Sequence, residues 1–161
     1  MINYPPHLKL TTLDLAKGSR SHLVSPWRVL DESRVLGHGR QTFARASEKL
    51  LCWQVHEEAG MKVTAHEGWV ELKCGPTTNE CDILLIDAQP AHTIMVYGTR
   101  ARHLASGEEA FIISIDSHDT VTGRCVAFSQ PNHWITTLGA PAARWAQRRI
   151  TQRYLAAMAR Q

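Results

Sequence analysis

The chain has 161 residues, 43% of them hydrophobic and 20% charged, with 18 Lys and Arg against 15 Asp and Glu for a formal net charge of +3. These proportions belong to an ordinary globular domain and argue against disorder, collagen-like repeats and coiled coil. One core suffices at this length, so a single domain over residues 1–161 is expected. The small net charge argues against nucleic acid as a partner, and apolar runs such as Ile83–Ile86 fall far short of the ~20 residues a membrane-spanning helix needs.

Residues 1–39 are rich in turn formers and read as an irregular opening segment, with a short turn or helix beginning near Thr11 to Asp14. Met1 to Leu10 lacks the charged start and continuous apolar stretch of a secretory signal, so a cytoplasmic location is expected. From Arg40 the pattern becomes helical: Phe43, Ala46, Leu50, Trp53, Val55 and Ala59 recur near helical spacing, and Gly60 supplies a stop. One helix is predicted there.

Six short strand-like segments follow, at Met61 to His66, Trp69 to Cys74, Cys81 to Asp87, Thr93 to Gly98, Glu109 to Asp116 and Val121 to Phe128. Their close spacing favours an antiparallel meander. Val70, Leu72 and Cys74 alternate with Trp69, Glu71 and Lys73, as in a strand with one wet face. Ile83 to Ile86, Ile94 to Val96 and Phe111 to Ile113 are apolar on both parities, which places them in the middle of the sheet.

After Pro131 a short turn of helix is predicted around His133 to Leu138, and Gly139-Ala140-Pro141 opens a last helix with proline in its first turn. Ala142, Trp145, Ala146, Ile150, Tyr154, Leu155 and Met158 should form its inward stripe, with Arg148 outside. Arg144, Arg148, Arg149, Arg153 and Arg160 make that helix basic, a solvated face or a surface for an acidic partner. Strands bracketed by helices without β-α-β alternation predict an α+β fold: a curved antiparallel sheet gripping the C-terminal helix, with one earlier helix. Such an arrangement leaves space for an apolar pocket.

Cys52, Cys74, Cys81 and Cys125 contain no C-x-x-C pair and are expected to be reduced structural thiols. His56 with Glu57 and Glu58 does not complete a zinc-binding H-E-x-x-H pattern, and His118 with Asp116 and Asp119 reads as a polar turn, so no metal or other cofactor is expected. His38 between Gly37 and Gly39 is a candidate for the ligand site, since flanking glycines permit close backbone approach, though it completes no phosphate-binding loop and also reads as a structural turn.

Titratable groups concentrate between Tyr97 and Glu109. His103 with Glu108 or Glu109 are the candidates for proton transfer, and Arg100 for holding a carboxylate or phenolate. The competing reading is a hairpin whose charges face water. Ser129 and His133 lie where the last strand meets the helices and are candidates for a pocket mouth. Trp53, Tyr97, Trp134, Trp145 and Tyr154 are core aromatics or a stacking surface for an aromatic ligand.

Three stretches, LGHGRQTFARA from Leu36, VYGTRARHLASGEEAF from Val96 and AFSQPNHWITTLGAPAARWAQRRITQRYLAAM from Ala127, resemble an uncharacterised family of bacterial and plant proteins called domain of unknown function 1990. The resemblance runs from Leu36 to Met158 and implies a relation to the helix-grip group, with a seven-stranded or near-seven-stranded sheet wrapped round a C-terminal helix. It implies no activity, which has to be argued from the pocket.

The function expected is binding of a small hydrophobic, amphipathic or aromatic molecule between sheet and helix. Two alternatives are an enzyme of cyclase, isomerase or hydrolase type using His103 with Glu108 or Glu109, and an interaction module using the arginine-rich helix.

Overall fold

In the strand Trp69–Cys74 the side chains of Val70 and Leu72 are buried while Lys73 is exposed, as a strand with one covered face requires. The computed structural model describes residues 1–19, 23, 26–131 and 140–160, with side chains from residue 145 onward in the last stretch. Its elements in chain order are α1 (Thr11–Ala16), β1 (Arg28–His38), α2 (Arg40–Leu51), α3 (Gln54–Glu58), β2 (Lys62–His66), β3 (Trp69–Cys74), β4 (Thr77–Gln89), β5 (His92–Thr99), β6 (Ala105–Ile115), β7 (Thr120–Pro131) and α4 (Ala140–Ala159).

The described residues form one seven-stranded sheet in the order β1-β7-β6-β5-β4-β3-β2, antiparallel throughout. Strands β2 to β7 are the expected meander, and β4, β5 and β6 are its interior. The seventh strand is β1, which lies inside the segment expected to be irregular and pairs with β7 from Arg28 to His38. Its charged residues and glycine hide the alternation that would mark it: Arg28, Asp31, Ser33 and Arg34 are exposed, and only Leu36 is buried. It closes the sheet because β7 would otherwise present an open edge.

The helix expected from Arg40 to Ala59 is two helices. Trp53 takes a left-handed conformation (φ 68°), which ends α2 and turns α3 so that both Trp53 and His56 reach the core. Lys49 fastens the joint, donating to Glu58 at 2.9 Å and to the Ala157 carbonyl of α4 at 2.8 Å.

One core lies between the concave face of the sheet and helices α2, α3 and α4. It holds Leu36, Phe43, Leu50, Val55, Val70, Met95, Phe111, Ile113, Tyr154, Leu155 and Met158. Gly123 lets α4 come close, since a Cβ there would meet the Met158 sulfur at 2.9 Å. A smaller core lies on the opposite face, where Tyr4, Leu8 and Leu15 of the opening segment pack on Val126 and Phe128, with Trp27, Val29 and Ile112 beside them. Two covered faces explain the apolar residues on both parities at Phe111 to Ile113: Phe111 and Ile113 face the helices, Ile112 the opening segment.

Along α4 the inward residues are Thr151, Tyr154, Leu155, Ala157 and Met158. Trp145 does not share that stripe, being 65% exposed, and Ala146 is exposed as well. The buried side chains of the helix fall in its second half, while Gln147 and Arg148 reach Ser129 of β7 and Glu32 of β1 through polar bonds. Arg148 lies outside as expected, paired with Glu32 of β1 at 3.0 Å. The predicted helical turn at His133 to Leu138 falls outside the described residues.

Candidate functional site

Between α4 and the sheet lies a cavity of about 560 Å3. Its lining includes Leu72, Tyr97, Glu109, Ala127, Ile150 and Tyr154. Of these, Leu72, Tyr97, Glu109 and Ala127 belong to β3, β5, β6 and β7, and Ile150 and Tyr154 to α4. In the β5–β6 hairpin Tyr97 stands opposite Glu109, and in the β6–β7 ladder Glu109 stands opposite Ala127. Cross-strand partners share a face, so Tyr97 and Glu109 both enter the cavity while the small side chain of Ala127 leaves room beside the carboxyl.

The Tyr97 hydroxyl donates to Glu109 Oε2 at 3.0 Å. Among the described residues Glu109 has no ion pair and no second hydrogen-bond donor. Burial among apolar walls therefore raises its pKa to about 7, the bond from Tyr97 opposing that rise. Burial, followed by the nearby Glu109 carboxyl, pushes the hydroxyls of Tyr97 and Tyr154 well above the ordinary phenol value. The Tyr154 hydroxyl donates to the Met61 thioether at 3.2 Å, a weak acceptor, and lies against the Tyr97 hydroxyl.

Glu108 and Glu109, adjacent in sequence, face opposite sides of the sheet. Glu108 is 3% exposed and accepts from the Tyr4 hydroxyl at 2.7 Å, the backbone N–H of Leu10 at 2.7 Å and of Thr12 at 3.0 Å, and the Thr12 hydroxyl. It latches the opening segment onto the sheet. Gly98 makes the approach of Tyr4 feasible, because a Cβ there would come within 2.6 Å of the Tyr4 hydroxyl oxygen.

His103 lines the cavity, where its Nδ1 accepts from the Ala105 N–H at 3.0 Å, and burial lowers its pKa to about 4. It is neutral at pH 7. Arg100 turns to Asp82, with Nε to Oδ1 at 2.7 Å, and stacks over the Trp69 ring. Trp53 lies in the core stacked on Tyr97 at 6.2 Å, and Ser129 lines the cavity beside Gln147. Trp145 stands at the rim with the Arg149 guanidinium over its ring at 5.3 Å. His38 is exposed at the β1–α2 turn and does not line the cavity; His133 and Trp134 lie outside the described residues.

Sequence reasoning missed His56, which is fully buried among the rings of Trp53, Tyr97, Phe111 and Tyr154. Neither of its ring nitrogens has a hydrogen-bond partner, and burial lowers its pKa to about 3. It also missed the pairing of Tyr97 with Glu109, for which there was a signal: the two flank His103 at equal distance along the chain, as partners in a hairpin do. Among the described residues no group of His, Cys, Asp and Glu is placed to hold a metal ion, and all four cysteines are free.

A curved antiparallel sheet closed by a C-terminal helix over a cavity is a helix-grip-like architecture. The sequence profile described as Domain of unknown function (DUF1990) matches residues 12–157, and the chain belongs to that family. A curated UPF0548 protein of Arabidopsis thaliana is 35% identical over 63 residues, a stretch covering 39% of this chain and 31% of that protein.

Among solved structures, a hypothetical protein from Helicobacter pylori is similar with a TM-score of 0.60 at 10% identity, covering 99% of this chain and 94% of that one. Truncated norcoclaurine synthase from Thalictrum flavum is similar with a TM-score of 0.55 at 8% identity, covering 84% of this chain and 95% of that one. The same synthase in complex with dopamine and hydroxybenzaldehyde has a TM-score of 0.53 at 7% identity, covering 85% of this chain and 95% of that one.

Proposed function

We propose that the protein binds a small, largely apolar molecule in the cavity between its sheet and α4. The observation that carries this reading is the cavity itself, whose volume of about 560 Å3 lies within the range of small-molecule sites. Leu72, Ala127 and Ile150 give its walls apolar character, and Glu109 with Tyr97 supplies a polar anchor. Arg28, Arg149 and Arg153 also line it, which suits a ligand whose polar end is anionic or rich in acceptors. Small aromatic compounds, the class with which norcoclaurine synthase was solved, are the first to try on grounds of size and fold.

The test is native mass spectrometry of the freshly purified protein, followed by titration with 8-anilinonaphthalene-1-sulfonate. A retained compound, or micromolar binding of the probe that the cavity-filling variant Ile150→Trp loses, supports the reading. No retained compound together with no probe binding overturns it.

A further inference from the structure

A carboxyl kept in a half-buried apolar setting with no ion pair is costly, and Glu109 is one among the described residues. Glutamine would satisfy the same tyrosine, and leucine would suit the same walls. Its geometry is also directional. Tyr97 holds Oε2, while Oε1 has no partner among the described residues and the side chain lines the cavity. On the helix side of the cavity stands Tyr154, whose hydroxyl donates to a thioether and lies against the Tyr97 hydroxyl, and a substrate carbonyl oxygen would be a stronger acceptor for it than sulfur.

We propose that Glu109, Tyr97 and Tyr154 form an acid–base site that moves a proton at the carbon next to a ketone in an apolar substrate. The inference rests on the cavity-binding reading and adds a substrate class and an activity to it. Glu109 Oε1 takes a proton from the carbon adjacent to the carbonyl. That C–H bond breaks, its electron pair forms the carbon–carbon double bond of an enolate, and the carbonyl π pair moves onto oxygen. The Tyr154 hydroxyl donates to that oxygen as its charge develops. The protonated Glu109 then returns the proton to the same carbon, or to the far end of the conjugated system when the ketone is β,γ-unsaturated. Nothing is oxidised or reduced and no co-reactant is consumed. Tyr97 is a positioning residue that fixes the carboxyl and favours its charged form.

The base has to be ionised to act, so the rate should rise with pH through about 7. The titratable groups facing Glu109 from the neighbouring elements are Tyr97 on β5, Cys81 on β4, Cys125 on β7 and Tyr154 on α4. Burial raises the pKa of each of these four above its ordinary value, so all stay neutral across that range. His103 at about 4 is already neutral, and Arg28, Arg149 and Arg153 are the charged side chains of the lining.

The experiment follows deuterium incorporation into 2-tetralone in D2O by proton NMR, with binding read from line broadening of the same ketone. The expected acceleration over buffer is about 100-fold or more, the scale of general acid–base catalysis. Glu109→Gln should keep the fold and reduce exchange to the buffer rate at tetralone concentrations that saturate the variant, its own binding being read in the same spectra. Tyr154→Phe should slow exchange without moving the pH midpoint. Tyr97→Phe should move the midpoint upward, which a merely structural role would not do.

Tetralone that binds but exchanges at the buffer rate, or exchanges equally fast in Glu109→Gln, overturns the proposal and leaves the binding reading intact. Failure to bind tetralone while 8-anilinonaphthalene-1-sulfonate binds also overturns it. If neither binds, both readings fall.

Discussion

Glu109 and His56 sit within one aromatic cluster and respond to pH in opposite directions. Glu109 has a folded pKa of about 7 against 4.5 for the free side chain, so the folded state holds its proton where the unfolded state has lost it. Stability from this group is present below pH 4.5 and falls as pH rises towards 7, by up to about 3 kcal/mol in all. Glu109→Gln should therefore be more stable than the parent at pH 8 and differ little at pH 4.5; urea midpoints at the two pH values check it. His56 has a folded pKa of about 3 against 6.5, so its neutral form stabilises above pH 6.5 and that contribution is lost as pH falls towards 3. His56→Phe should flatten the acid limb of the stability curve. An acid limb unchanged from the parent would show that this imidazole does not set it.

At the scale of elements, the sheet is covered by two layers. Both layers pack through apolar side chains, and the opening segment is in addition latched on β6 by Glu108, which satisfies four donors in a nearly dry place. Glu108→Ala leaves those donors without their acceptor and should cost at least about 3 kcal/mol. Denaturation measures the loss, and hydrogen exchange should rise first at residues 10 to 12. α4 carries its buried side chains in its second half, and Trp145 near its start is 65% exposed at the cavity rim, so Trp145→Ala should cost less than about 1 kcal/mol and weaken binding at the cavity more than it lowers the melting temperature. A loss of several kcal/mol would show that the ring is packed after all.

For the whole molecule, the cavity is the part of the interior that packing does not fill. A ligand at 100 times its dissociation constant should raise stability by about 2.7 kcal/mol, and the increment should vanish in Ile150→Trp. Thermal unfolding with and without 8-anilinonaphthalene-1-sulfonate reads both.

The meander, the central place of β4, β5 and β6 and the long last helix were legible in the sequence, because period and punctuation are local properties of a chain. β1 was not legible, since an edge strand with one buried side chain carries almost no pattern; its place is set by pairing with β7, some 90 residues away. The break at Trp53 escaped for a related reason. Helical spacing continues across it, and only the packing of Trp53 and His56 against Tyr97 favours a left-handed residue there. The site shows the same division. The sequence singled out Tyr97, Glu108 and Glu109 as groups able to do chemistry. Which glutamate faces a cavity and which fastens the opening segment was decided by strand register and by what covers each face of the sheet, because the tertiary structure determines whether a side chain meets water, a donor or an empty apolar space.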